Sequence, residues 1–264
     1  MMSCHVTVYR RRASVLIKHK RARTHTEDRH LALWLATSAG LLNAMVLSAF
    51  GIFPSHMTGN VSQLSSEISY SDINHLQFFA YLILCFVGGA TLARLAVIVG
   101  LRNNSRTIYC LVLLFEGVVL TLTALYELYF HAPGSNWQVI SLLAFLMGVH
   151  NATSTQLSNG RVRSTHVTGT LTDAGISLGS VLAAVLRRDP SKDIGSLSSQ
   201  FNTHLITITS FLGGGVMGLL LFRYFDFRAM AGVGVVLMTI AVVTIVATVV
   251  RVKKFSGAVQ RTRA

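Results

Sequence analysis

The chain has 264 residues, of which 52% are hydrophobic and 12% charged, and its mean hydropathy is positive. Soluble domains carry about 25% charged residues, so an ordinary water-soluble fold is excluded. The formal net charge of +13 would suggest nucleic acid in a soluble protein. Here the charges mark sidedness instead, and no nucleic-acid partner is expected.

Residues 1–30 contain "YRRRASVLIKHKRART" and lack the apolar centre of a secretory signal. They read as a basic cytoplasmic arm lying against anionic lipid, each basic residue near the surface contributing about 1 kcal/mol. Ser14, after "RRA", is a candidate phosphorylation switch, although a plain topology anchor is the preferred reading. Apolar runs of about 20 residues, long enough to cross a bilayer, follow at Leu31–Phe53, Leu76–Leu101, Thr107–Phe130, Trp137–Leu157, His204–Phe222 and Ala229–Val250. Alternating strand patterns are too few for a closed barrel, so these are read as helices. The stretch Thr170–Leu186 is moderately apolar and is read as re-entrant or interfacial. The tail, 251–264, is basic.

The basic residues alternate along this series. Eight precede Leu31, none lies between Phe53 and Leu76, and Arg102 and Arg106 follow. None lies between Phe130 and Trp137, whereas Arg161, Arg163, Arg187, Arg188 and Lys192 share the fourth connection. Only Arg223 and Arg228 fall in the fifth. Six spans with both termini cytoplasmic therefore put 20 basic residues inside and two outside, with Arg94 free to snorkel. A seventh span at Thr170–Leu186 would move the basic tail outside, which the positive-inside tendency disfavours.

"SHMTGN" at Ser55 recurs as "STHVTGT" at Ser164. Gly40, Asn43 and Ala44 match Gly148, Asn151 and Ala152 at a constant offset, and His56, Thr58 and Gly59 match His166, Thr168 and Gly169. "FVGGA" at Phe86 is echoed by "FLGGG" at Phe211. The expectation is an all-α membrane protein of two three-helix repeats, 31–130 and 137–250. The odd helix count inverts the second repeat, and short re-entrant or interfacial helices follow the Thr-Gly motifs. Thr58 and Thr168 are expected to cap those helices, with Gly59 and Gly169 allowing close backbone approach. Free amides at such helix starts hold anions or oxygen ligands; the competing reading is a plain surface cap.

Polar residues inside the spans are the remaining candidates. Glu116 lies mid-span, where a carboxylate is costly and therefore paired, protonated or functional; otherwise it is a buried hydrogen bond between helices. Asn43, His150 and Asn151 also sit within spans, and helix packing alone would explain the asparagines. Asp173 has no charged counterpart in the first copy and is equally a partner for Arg161 or Arg163. Together with Asn60 and Thr170, which close the two motifs, these residues form the expected substrate-binding set. "GISLG" at Gly175 fits a serine-hydrolase pattern, but that pattern needs an α/β sheet, so Ser177 is not read as a nucleophile. Cys4, Cys85 and Cys110 share no ligand or redox spacing, and neither a Walker loop nor "HExxH" occurs. Hence no cofactor, metal or enzymatic activity is expected.

The segments "GLLNA", "SHMTGN", "GVHNA" and "RSTHVTGTLTD" are similar to the paired signatures of the YoaK-type family. These are membrane proteins of unknown function, often labelled small-molecule transporters. The resemblance runs from about Leu31 to Val250, and Glu116 falls where similar proteins carry a carboxylate. This sequence departs from the pattern at Asn43, where an acidic residue is common, and at His150, where Gln is expected; His56 and His166 also differ. If the family site couples an ion through that acidic residue, Asn43 does not supply it. The composition and repeat support a secondary carrier for an unidentified small molecule, with the bilayer as partner and a homo-oligomer allowed. The alternatives are an intramembrane enzyme on a lipid or prenyl substrate, using Glu116, His150 and Asp173, and a non-transporting scaffold.

Overall fold

A computed structural model describes residues 25–70, 73–103, 105, 107–130, 136–187 and 194–261. Among them there are eight helices and no strand: α1 (His25–Phe50), α2 (Met57–Tyr70), α3 (Ile73–Arg102), α4 (Ile108–Phe130), α5 (Trp137–Leu157), α6 (Val167–Arg187), α7 (Ile194–Phe225) and α8 (Phe227–Arg261). Most of the basic arm, Ser14 included, lies outside the described residues, and the basic tail continues α8 as far as Arg261.

Long apolar sequence makes these helices, because a segment in hydrocarbon must pair its own backbone groups. Their outer faces stay apolar. Leu84, Leu122 and Leu212 are each more than 60% exposed, a distribution that water would penalise and lipid does not. Six helices are long and apolar enough to cross a bilayer: α1 over Leu33–Phe50, α3, α4, α6 over Val167–Leu186, α7, and α8 over Phe227–Val250. The chain thus fits an integral multi-pass membrane protein.

These six differ from the expected set at one place. The helix α5, expected to span, falls outside the set, whereas α6, expected to be short and re-entrant or interfacial, is 21 residues long and inside it. The reason is burial. Twelve of the 21 residues of α5 are buried, so this helix can carry the polar Ser141, His150, Thr153 and Ser154 that lower its mean hydropathy, with His150 finding its partners on α4 and α1. The outer face of α6, by contrast, presents Leu171, Ile176, Leu182 and Leu186.

Two close helix pairs organise the bundle, α1 on α7 and α3 on α5, with α4 laid on α8. A Cβ on Gly40 would overlap the carbonyl oxygen of Phe211, and one on Gly148 would overlap that of Phe86. Gly214 meets the Thr37 carbonyl in the same way, and Gly89 meets that of Phe145. In α4 and α8, Gly117 and Gly234 face each other. Small residues at these crossings bring backbones together where lipid supplies no hydrophobic drive. The core joins Met45 and Leu42 of α1, Leu120 of α4, Met147 of α5, and Met230 and Leu237 of α8. The turn between α7 and α8 is a single residue, Asp226, at φ 55.

Candidate functional site

Buried polar side chains concentrate at three places. At the end of α1, Asn43 is buried and its Oδ1 accepts from the Ser55 amide at 3.2 Å and from the Ser55 hydroxyl at 2.8 Å. At the end of α5, the Oδ1 of Asn151 accepts from Thr165 Oγ1 at 2.7 Å and from Ser164 Oγ at 3.4 Å. Both asparagines fasten the loop that leads into the Thr-Gly helix. Gly51 at φ 74 and Gly160 at φ 83 begin the two returns, in a region that residues with a Cβ seldom enter.

The Thr-Gly motifs themselves differ from the expected caps. The helices begin at Met57 and Val167, so Thr58 and Thr168 are already the second helical residues, and both are exposed. Chain reversal instead centres on His56 and His166, whose carbonyls accept from the amides of Asn60 and Thr170 at 2.9 and 3.0 Å. Gly59 and Gly169 provide the clearance for those two imidazoles, since a Cβ at either position would overlap the ring. Asn60 is buried with its Nδ2 unpartnered, and Thr170 is buried with its hydroxyl donated to the His166 carbonyl. Asp173 is exposed on α6.

The third place is the centre of the bundle. Glu116 of α4 and His150 of α5 are 2% and 1% exposed, and Oε1 of the carboxyl lies 2.8 Å from Nδ1 of the ring. The other ring nitrogen, Nε2, lies 3.1 Å from the Leu35 carbonyl oxygen of α1 and 3.5 Å from the Ser38 hydroxyl, which itself donates to Leu35. Three helices thus meet on one imidazole.

The ring's partners favour one proton count. A neutral imidazole has one N–H, yet acceptors stand at both ring nitrogens. Either the ring is an imidazolium facing a carboxylate, or Glu116 is protonated and donates to Nδ1 while Nε2–H donates to Leu35. Both forms hold one proton more than a neutral imidazole beside a carboxylate, and both leave the pair with no net charge. Neutrality is what a buried site demands, because an unpaired charge there costs several kcal/mol. The second oxygen of Glu116, Oε2, is buried without a partner, and Glu116 lines a cavity of about 10 Å³ between α4 and the facing parts of α1 and α5.

One buried carboxylate escaped the sequence reading. Glu127 is 1% exposed and accepts from the Asn136 amide at 3.1 and 2.9 Å, just ahead of α5. Its spacing of 11 from Glu116 is three helical turns, which puts both on one face of α4; that spacing was the available signal. No group of three metal-ligating side chains occurs among the described residues.

No curated protein and no solved structure matches the chain. A family model described as "Protein of unknown function (DUF1275)" matches residues 31–244, and the chain, whose paired motifs already resemble such proteins, belongs to that family.

Proposed function

We propose that the protein is a secondary carrier for a small molecule, built from two inverted copies, α1–α4 and α5–α8, that rock against each other about a buried site. The observation that carries this reading is the recurrence of helix contacts: Gly40 on Phe211 and Gly148 on Phe86, with Gly214 on Thr37 and Gly89 on Phe145. Residues matched in the sequence meet matched partners, which is expected of two copies clasping each other. Inverted copies with a midplane site between them are the usual construction of secondary carriers. Glu116 belongs to the first copy and His150 to the second, so their hydrogen bond crosses the boundary on which such motion would act.

Helix direction supports the inversion. Gly214 and Gly218 of α7 meet Thr37 and Leu41 of α1, one turn later on each helix, so α1 and α7 run parallel. With α2 too short to cross, parallel spans require that only one of α5 and α6 crosses between α4 and α7. Because α5 runs closely along α3, we take α5 as the crossing and α6 as re-entrant, its apolar face against lipid. Both termini then lie on one side, and the distribution of Lys and Arg supports taking that side as the cytoplasm. The exposed position of Asp173 separates it from the buried Glu116 and His150, which weighs against the enzyme alternative. The Thr-Gly turns, each tied by one asparagine, are the hinges at opposite faces.

The test is uptake into sealed vesicles carrying the purified protein, offered pooled metabolites with an imposed pH gradient. Accumulation that collapses with the gradient and is lost in Glu116→Gln is expected. Product formation without accumulation would replace the carrier by an enzyme.

A further inference from the structure

We propose that Glu116 is the binding point for a protonated amine with an apolar body, and that the amine enters in exchange for the proton held with His150. This rests on the carrier reading only for the route by which the ligand arrives.

The geometry supplies both halves of the exchange. Oε2 of Glu116 is an unpartnered acceptor inside the bundle, where an unmade hydrogen bond costs about 1–3 kcal/mol. Glu116 lines a cavity otherwise walled by aliphatic and methionine side chains, among them Leu42, Leu120, Leu143 and Leu146. The walls suit an apolar body, and the oxygen suits a donor. The charge balance selects a cation. If the extra proton leaves, Glu116 and His150 together carry one negative charge in a setting that tolerates none. An ammonium restores neutrality and brings up to three N–H donors; a neutral alcohol would restore only the hydrogen bond, and an anion would double the charge. Hence an N–H···O bond from the amine to Oε2 forms as the proton of the pair passes to solvent, one for one.

A cavity of about 10 Å³ holds at most one water, so the site must open. The size of the opening is visible elsewhere in the molecule. Under the matching of the two copies, Leu143 corresponds to Leu35, Leu146 to Ser38, and, from the facing of Gly117 and Gly234, Glu116 to Val233 and Leu120 to Leu237. Leu35, Ser38, Val233 and Leu237 line a groove of about 770 Å³ between α1 and α8, within the usual range for a drug-sized ligand. Four of the seven residues lining the small cavity thus have counterparts lining the groove, so under this matching the crevice is shut at α4 and α5 and open where α1, α7 and α8 meet. Opening the shut one to the same extent would admit an amine with a sizeable apolar body to Oε2. The groups that could perturb the titration are few. Helix α5 presents His150, α1 presents Ser38 and the Leu35 carbonyl, and α8 presents Gly234 and Met238 at the Gly117 crossing. Further along α4, Glu127 faces Asn136.

The test uses the purified full-length chain in weakly buffered detergent, with phenethylamine as the probe and phenethyl alcohol as its neutral isostere. Release of one proton per amine bound, read with a pH-sensitive dye, is expected, with none from the alcohol. In the wild type alone, amine affinity should fall about tenfold for each pH unit of acidification below the midpoint of the pair. Glu116→Gln, shown to be folded by its thermal transition, should bind the amine at least tenfold more weakly and release no proton. Affinity that ignores pH, binding without proton release, or no binding at millimolar amine would each overturn the inference. Proton-linked uptake of some other solute would then leave the carrier reading standing. Amine binding with proton release but no vesicle uptake would remove the carrier reading and keep the site.

Discussion

Glycines at the two principal crossings are the residues on which the bundle most depends. At Gly40 and Gly148 the neighbour that a Cβ would strike is a backbone carbonyl of the facing helix, which moves only if the helices part. Gly88 and Gly213, one residue from the contacts made by Gly89 and Gly214, have nothing within 4 Å of such a Cβ. Gly40→Ala and Gly148→Ala should therefore each destabilise by about 1–3 kcal/mol, the usual cost of overpacking. Gly88→Ala and Gly213→Ala should be neutral or gain up to about 1 kcal/mol from helix propensity. Thermal unfolding in detergent decides it: equal transitions for all four variants would mean that the close crossings contribute nothing. Gly59 and Gly169 belong to neither group, because their neighbour is an imidazole that can rotate away, so alanine there should disturb His56 or His166 more than the fold.

At the scale of helices, α6 carries the most discriminating prediction. Its apolarity alone would send it across the bilayer, while the parallel run of α1 and α7 allows one crossing fewer. Cysteines at Asn159, ahead of α6, and at Ile194, at the start of α7, should both react with an impermeant reagent from the same side, in a background lacking native cysteines. Labelling from opposite sides would make α6 a span and end the inverted reading. The difficulty at α5 and α6 shows what the sequence holds and what it withholds. The other long helices were legible because lipid-facing residues must be apolar, and Gly40 and Gly148 were legible as members of a recurring motif, each of them lying at a close helix crossing. The direction in which α5 turns its polar face was not legible, since hydropathy averages over a helix whatever surrounds it. For the same reason Glu116 and His150 could each be singled out but not joined. They lie 34 positions apart on two helices, and only the rotation of each helix decides that the side chains meet. The Thr-Gly pairs were misread as caps, because the helices already begin at Met57 and Val167 and their first helical hydrogen bonds run from the Asn60 and Thr170 amides to the His56 and His166 carbonyls.

For the whole molecule, the proposed matching of the two copies makes the unequal crevices predict a second state. Copies of one unit, packed face to face, would have equal energy in mirror arrangements if their sequences were equal. This sequence breaks the balance by placing Glu116 in the closed crevice and Val233 in the open one. Spin labels at Trp34 and Thr239 would span the open crevice, and labels at Leu122 and Leu142 the closed one; all four positions are exposed. In the resting protein the first pair should give the longer distance and the second the shorter, with a minor population of about 0.1–10% reversed. Saturating amine at a pH above the midpoint of the pair but low enough to keep the amine protonated should enlarge the reversed population, because a ligand bound only at an opened Glu116 favours that state by its differential affinity. A full reversal from 1:99 to 99:1 would require about 5.5 kcal/mol of that difference, so a partial shift is the expected result for a simple probe. The two distances must change in opposite senses within one sample series. If they lengthen or shorten together, the bundle breathes as a single body; if neither responds while the amine binds, Glu116 is reached without any exchange between crevices, and the rocking of two copies is not how this protein works.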